Sequence, residues 1–394
     1  MTVSELLDLL LRWVHLIAGI MWIGNSMLFN WLDRNLVKPE GAAQRKGFEG
    51  EIWMVHSGGF YQMEKKMLAP SQLPAQLHWF KWQNGITWLS GISLLVVVYY
   101  MNGAAFLVRP EVDFLPPLAA IGLSIGIVLL AWALYETVWT LLDRSPRLAT
   151  ALSLGLLAVF AFLVAQAFSG RAAYIHVGVI LGTVMTGNVW TVILPSQKEL
   201  IAATKEGREQ DRTLSLRAKQ RSIHNNYMTF PLLFIMVSNH FPSTYGTAIN
   251  WVVLAVLMVG SATVRHFMNV RYAGKRWLAP LVTTAVVTVI AVVMLTVRRA
   301  PEVVATRAVS FVEVRNIIDR RCLACHSSKP TDTSFVVAPL GVMFDTTSQI
   351  QAMVPRIENR VVVNRTMPFG NKTGMPDDER VLIGQWIAQG ASVQ

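Results

Sequence analysis

The sequence predicts an all-α protein: a polytopic membrane bundle of about eight transmembrane helices, followed by a small second α-helical domain. Two observations predict the bundle. The 394 residues are 53% hydrophobic and only 15% charged, and apolar stretches recur that are long enough to cross a hydrocarbon core of about 30 Å. A third observation separates the second domain, because the sequence turns mixed and polar after Val297. We therefore expect a transmembrane domain over residues 1–300 and a second domain over 301–394.

The first predicted helix has neither the basic start nor the small-residue cleavage site of a signal peptide, so we expect it to be retained. The predicted helices lie near residues 6–30, 80–101, 115–140, 148–168, 172–194, 226–240, 246–266 and 278–297.

Charge in the connections predicts the orientation. Lys and Arg crowd the first, third, fifth and seventh connections, whereas the others carry only Arg109 and Arg171. By the positive-inside rule the crowded connections are cytoplasmic. Both termini and the second domain are then periplasmic, on a multi-pass protein of a bacterial inner membrane. This placement also accounts for the net charge of +11, so the partner is the lipid bilayer and no nucleic acid is expected.

Helices one and five carry a similar pattern. His15 is followed by Asn25 after a glycine, and His176 is followed by Asn188 after a glycine. The pattern is consistent with a four-plus-four parallel repeat whose axis lies along the membrane normal. Coincidence among few histidines explains it equally well.

The stretch "RRCLACHSSK" carries the strongest chemical signal. Cys322, Cys325 and His326 form the Cys-x-x-Cys-His pattern of c-type haem attachment, in which two thiols bond the vinyl groups and the histidine ligates the iron. Zinc would need further thiolate or imidazole ligands nearby, and a thioredoxin-like dithiol would need a βαβ context. Helical patterns on both sides of a loop-rich middle predict a small class I cytochrome c-like domain with one covalent haem c.

The second axial ligand is expected from the loop "NRTMPFGNKTGMPDD". Met367 is the preferred ligand, and Met375, which also precedes a proline, is the competitor. A methionine ligand raises the potential and favours accepting electrons.

Ionisable groups inside a bilayer are costly, which makes those in the predicted helices candidates for function. His15 and His176 both lie in the half of the bundle nearer the haem domain. An interhelical hydrogen bond is the alternative for each. Trp22 shares a helix face with His15 and could line a pocket for a flat ring.

Taken together, the segments resemble the membrane-bound bacterial urate oxidases of the PuuD type, which carry a C-terminal cytochrome c domain. The resemblance covers the whole chain and rests on "RWVHLIAGIMWIGNSMLFNWLDR", "MVHSGGFYQMEK", "HWFKWQNGITWLSG", "MTGNVWTVILPSQK", "HNNYMTFPLLFIMVSNH" and the tail "CLACH…TMPFGNKTGM…ER".

The resemblance implies oxidation of urate toward 5-hydroxyisourate, with electrons passing through haem c to a downstream cytochrome c or terminal oxidase. Urate gives up two electrons whereas one haem iron accepts one. His15 and His176 could therefore hold a haem b, or could act as base and orienting group for the urate anion. Asn25 and Asn188 are the expected polar pocket groups. The alternative is a non-catalytic subunit that passes electrons from a quinol or a partner dehydrogenase to the haem.

Overall fold

The computed structural model describes residues 3–38, 47–101, 106–108, 115–271, 276–297, 307–332, 335 and 337–393. Within these residues, six helices are long and apolar enough to cross a membrane. The chain is therefore a helical membrane protein. The six are α1 (Val3–Asn35), α3 (Pro117–Leu141), α4 (Pro146–Ala167), the continuous helix Gly170–Glu206, α9 (Asn250–Val270) and α10 (Leu278–Thr296).

Two further helices pack among these six. Helix α2 (Trp82–Leu95) continues as a π-helical turn over Val96–Tyr100 and packs against α1. Helix α7 (Arg212–Ser238) packs against α9 and against the first part of the continuous helix Gly170–Glu206. It begins well before the predicted residue 226, because the Asp211 carboxylate caps it by accepting from the Thr213 N–H at 2.8 Å. Its polar first half carries no hydropathy signal, so the sequence predicts only its apolar second half.

The continuous helix occupies the centre of the bundle. It consists of α5 (Gly170–Gly187), a π-helical turn (Asn188–Ile193) and α6 (Leu194–Glu206). Tyr174, Val177 and Leu181 of α5 are almost fully buried in the main apolar core. Gly178 allows α7 to approach closely, since a Cβ at this position would lie 2.8 Å from Ile235 Cγ2. The backbones of α5 and α7 can therefore lie close together at Gly178.

The connection from α1 to α2 contains an antiparallel hairpin that the all-α prediction omits. Strands β1 (Phe48–His56) and β2 (Gly59–Lys66) are joined through Ser57 and Gly58, both at positive φ. Alternating aromatic and polar residues favour such strands, and the two-residue turn suits glycine. The prediction missed these strands because it identified elements by long apolar stretches, and this basic connection between membrane helices contains none.

Residues after 306 form a second helical unit with its own core. It contains α11 (Phe311–Arg321), α12 (Thr347–Ala352), α13 (Val354–Ile357), a π-helical turn (Glu358–Val363) and α14 (Asp377–Ala388). Ile318 and Ile350 pack there against Ile383 and the fully buried Trp386. Helices α11 and α14 occupy the two stretches predicted to be helical. The predicted domain boundary at 300/301 lies outside the described residues.

The C-terminal unit contacts one end of the bundle, called the domain-side end below. The Phe106 ring lies 5.2 Å from the Phe369 ring and 6.0 Å from the Phe335 ring, centroid to centroid. Gly246, just after α8 (Pro242–Tyr245), faces Thr366 so closely that a Cβ would lie 2.7 Å from Thr366 Cγ2. The segment from Thr366 to Phe369, which includes Met367, therefore rests on the bundle.

Candidate functional site

The Cys-x-x-Cys-His motif follows directly on α11. The Cys325 and His326 N–H groups both donate to the Cys322 carbonyl, at 3.1 and 2.8 Å, which folds the motif into one tight turn. Cys322, Cys325 and His326 are each partly exposed. Burial raises the pKa of the Cys322 thiol to about 12 and also raises that of Cys325. Both cysteines are therefore neutral thiols at physiological pH.

His326 is oriented by one backbone contact. Its Nδ1 lies 3.0 Å from the Val342 carbonyl oxygen, so Nδ1 carries the proton and donates. This leaves the Nε2 lone pair free, the arrangement typical of a metal-bound histidine. Burial lowers the pKa of His326, which favours the neutral imidazole. The donor set therefore fits a covalently attached haem.

The two candidate methionines differ in their surroundings. Met375 is packed into the domain core with 2% of its surface exposed. Met367 lies at the edge of that core and remains half-buried. The buried Arg380 guanidinium donates to the carbonyl oxygens of Val361 and Met367, at 2.8 and 2.7 Å, and so fixes the Met367 loop. The resemblance includes Arg380 in the Glu-Arg pair at its C-terminal end, but the sequence analysis assigned this arginine no role.

His176 is fully buried near the domain-side end of α5. Its Nδ1 lies 2.7 Å from the Ala172 carbonyl oxygen, and its Nε2 lies 2.5 Å from Ser124 Oγ. Ser124 Oγ lies in turn 2.7 Å from the Tyr100 hydroxyl. Three helices thus build a continuous chain of hydroxyl and imidazole groups.

The same histidine lies beside the route to the C-terminal unit. Its ring is 4.5 Å from the Phe168 ring, centroid to centroid. Phe168 forms an isolated β-bridge with Val108, two residues beyond the junction residue Phe106. Packed side chains and backbone therefore connect the buried imidazole with Phe369.

His15 bonds to a different helix. Its Nδ1 lies 2.9 Å from the Thr87 carbonyl oxygen and 3.1 Å from Ser90 Oγ, both on α2. Gly91 provides room for the ring, since a Cβ there would lie 3.0 Å from His15 Cε1. With Nδ1 donating to a carbonyl, Nε2 keeps its lone pair. Because both ring nitrogens of His176 are already hydrogen-bonded, the two histidines do not fit a haem b ligated by both.

Asn188 begins the π-helical turn and lies in a second polar network. Its amide Nδ2 donates to Asn225 Oδ1 at 2.8 Å and to the Tyr135 hydroxyl at 3.1 Å. The same hydroxyl lies 2.7 Å from His224 Nδ1. π-Helical turns often mark functional positions, because they redirect side chains that a regular helix would place elsewhere.

A buried ion pair adjoins this second network. Arg221, 5% exposed, donates to Glu136 at 3.0 Å, and its guanidinium lies over the Tyr135 ring. Arg221 Nη1 and Glu136 Oε2 are buried without a partner among the described residues. The sequence analysis did not identify Arg221 or Tyr135 as site residues. The signal that could have indicated them was the pair of opposite charges, Glu136 and Arg221, within otherwise apolar helix surroundings.

The predicted membrane-site residues therefore lie at different levels of the bundle. His176 lies toward the domain-side end, and Asn188 lies twelve residues further along the helix, roughly 18 Å away. His15 lies between these two levels, since it contacts Thr87 and Ser90, and the intervening Trp88 indole donates to Thr183. The expectation that both histidines lie in the domain-side half is therefore wrong for His15. Asn25 is half-buried and makes no side-chain hydrogen bond within the part of the chain that is described. Trp22 packs against the main core. The structure therefore does not gather these residues around one point.

These features define the class of the chain, which is a helical membrane protein. Histidine and tyrosine side chains form buried hydrogen-bond networks in its bundle, and its C-terminal unit carries both cysteines. The family described as Urate oxidase N-terminal matches residues 1–297, and the chain belongs to that family. Membership points to oxidoreductase chemistry related to urate. No curated protein and no solved structure matches the chain.

Proposed function

We propose that this protein is a membrane-bound urate oxidase that passes electrons to a haem c and onward to a respiratory cytochrome c or terminal oxidase. Family membership supports urate as the substrate. One observation supports the proposed electron route. Thr366 and Phe369, on either side of Met367, contact the membrane bundle, which is the part of the chain that matches the urate oxidase family. An acceptor in that loop would receive electrons directly from the membrane domain.

Cys322 and Cys325 would hold the haem through thioether bonds, and His326 and Met367 would ligate its iron. The group supplies a one-electron acceptor when bound. His326 presents Nε2 because the Val342 carbonyl fixes the tautomer. Arg380 holds the Met367 loop in place. The accessible edge position of Met367 supports this residue over the fully packed Met375.

The reaction balances as urate plus water giving 5-hydroxyisourate, two protons and two electrons. The two electrons would leave one at a time, since one haem iron accepts a single electron and passes it on before the next. His15 is the proposed base, since its Nε2 can accept a proton while Nδ1 donates to Thr87. His176 is the proposed orienting group and can exchange a proton with Tyr100 through Ser124. Trp22, Asn25 and Asn188 remain proposed contacts for urate, at successive positions along the bundle rather than around one point.

We propose further that α2 with its π-helical turn and α7 complete a set of eight crossings. The Lys- and Arg-rich connections then lie in the cytoplasm, and the C-terminal unit lies in the periplasm of a bacterial inner membrane. Attachment of haem c on that side agrees with the placement of Cys322 and Cys325.

The test uses purified full-length protein, oxidised and kept anaerobic, with spectra recorded before and after urate is added. Prompt appearance of reduced haem bands together with urate consumption is expected. A Cys322→Ala/Cys325→Ala variant is the control and should show no covalent haem. If an intact haem is reducible by dithionite but not by urate, the proposal is wrong and the electron-transfer subunit becomes the better description.

A further inference from the structure

Two ion pairs connect α7 with α3 and the residues just after it. Arg217 Nη2 lies 2.9 Å from Asp143 Oδ2, beyond the end of α3. Arg221 Nη2 lies 3.0 Å from Glu136 Oε1, within α3. Arg217 is exposed, whereas the Arg221 side chain is almost fully buried. A buried ion pair is costly, and the exposed pair already connects the two helices, so the buried pair indicates a second role.

The buried pair leaves one atom of each side chain without a partner. Arg221 Nη1, a donor, and Glu136 Oε2, an acceptor, are both buried and make no hydrogen bond within the described part of the chain. Charged groups left unpaired in this way are costly, so both atoms call for an occupant. The carboxylate repels an anion and the guanidinium repels a cation. A small neutral molecule that accepts one hydrogen bond and donates another suits both atoms, and water is the smallest such molecule.

The ion pair lies beside the polar network around Asn188. The Arg221 guanidinium lies 4.9 Å from the centroid of the Tyr135 ring and 5.8 Å from that of the Trp139 ring. On its other side, the Tyr135 hydroxyl accepts from Asn188 Nδ2 at 3.1 Å. A water held by the ion pair is therefore one side chain away from urate bound at Asn188.

We propose that Arg221 and Glu136 hold the water that reacts with urate, and that Glu136 is the base that activates this water. The inference rests on the proposed function, in which one water is consumed for each urate. Arg221 Nη1 orients the water by donating to its oxygen, and Glu136 Oε2 accepts one of its protons. His15 remains the proposed base for urate itself.

The step balances without a further reagent. After the loss of two electrons, C5 of the purine ring is an electrophilic carbon joined to nitrogen by a double bond. The water oxygen bonds to C5 while one O–H bond of the water breaks, and the electron pair of the C5=N bond moves to the nitrogen. That nitrogen takes up one proton and Glu136 gives one up. Water has then added across the double bond, and the product is 5-hydroxyisourate.

The addition turns C5 into a stereocentre, which supplies the test. Because Arg221 and Glu136 hold the water on one face of the ring, the unsubstituted protein should form a single enantiomer. Full-length protein with its haem attached is supplied with urate and with ferricyanide, an achiral electron acceptor. Circular dichroism of the 5-hydroxyisourate is recorded as it forms. Glu136→Gln should lose the optical activity of the product, because bulk water then adds from either face.

Asp143→Asn is the matched control, since it removes a carboxylate from the exposed pair between the same elements. Its product should keep the handedness seen with the unsubstituted protein. Racemic product from the unsubstituted protein, or optically active product from Glu136→Gln, overturns the role of Glu136. The latter result would mean that any water at the ion pair is only structural.

Two further observations keep the inference testable. A density map of the unsubstituted protein that resolves ordered waters should show one within hydrogen-bonding distance of Arg221 Nη1 and Glu136 Oε2. An empty position overturns the inference even if Glu136→Gln fails to fold. Reduction of the haem by urate separates this inference from the proposed function. Without such reduction the proposed function fails; with it, and with optically active product from Glu136→Gln, only the water site fails.

Discussion

At the scale of single residues, the half-buried Met367 gives a direct test of the proposed iron ligand. Met367→Ala should convert a six-coordinate haem into a five-coordinate or water-ligated one and lower its potential, because the thioether stabilises the reduced iron. Optical spectra and redox titration measure both effects. Met375→Leu is the matched control, since a swap of similar volume in the core costs less than about 1.5 kcal/mol and leaves the spectrum unchanged. A spectral change in the Met375 variant alone would reverse the assignment.

A second residue-scale prediction concerns acid stability. The Arg307 guanidinium, bonded at 2.7 Å, and the Ser310 N–H hold the pKa of Glu313 down at about 2. An unfolded glutamate titrates near 4.3. Because the folded pKa is the lower one, the stabilisation is complete above about pH 4.3 and is lost as pH falls toward 2.

Glu313→Gln should therefore lower stability near neutral pH and flatten its decline between about pH 4.3 and 2. Urea unfolding of the full-length protein at each pH, followed through the absorbance of the proposed haem, measures the free energy of unfolding of the C-terminal unit for both sequences. The free energies of unfolding of Glu313→Gln and of the unsubstituted protein should become equal as the pH approaches about 2. Parallel curves over this range would show that the carboxylate contributes nothing to acid sensitivity.

At the scale of elements, the close approach of Gly246 to Thr366 predicts a sensitive junction. Gly246→Ala places a Cβ against Thr366 Cγ2 and against the Pro242 carbonyl oxygen. The Met367 loop must then move off the bundle, so urate-dependent haem reduction should slow while dithionite reduction is unaffected. Stopped-flow absorbance measures both rates.

Two further variants identify the cause of that change. Thr366→Ser removes the obstructing methyl group and should restore part of the rate in the Gly246→Ala background. Gly155→Ala in α4 is the matched control, since nothing lies within 4 Å of its Cβ. Equal slowing in Gly155→Ala, or no rescue by serine, would mean that the junction is not responsible.

Hydropathy predicted the elements well where a helix is apolar and poorly where it is not. The spans assigned to α3, α4 and α10 agree with the structure within two residues at either end. The polar start of α7, the extension of α5 into α6 and the hairpin were missed, because their stability comes from caps, turns and tertiary packing. Arg221 and Tyr135 were missed for a related reason: their partners come from distant parts of the chain.

At the scale of the whole molecule, the proposed topology can be tested with accessible single positions. Leu340 in the C-terminal unit is 98% exposed, and Phe60 at the hairpin is 82% exposed. In intact spheroplasts, a membrane-impermeant maleimide should label Leu340→Cys at once and Phe60→Cys only after permeabilisation. Retained activity of each variant is the control for folding. Labelling in the opposite order would show that the proposed orientation in the membrane is wrong.

The contacts of Phe106 and Gly246 with the C-terminal unit also predict the kinetic order of the proposed electron transfer. Both units belong to one chain, so their docking is intramolecular and does not depend on the concentration of the protein. Dilution of the protein in the bilayer leaves that docking equilibrium unchanged. In the proposed electron route, transfer out of the bundle is therefore expected to be first-order at every expression level, and only transfer to the next carrier depends on collision.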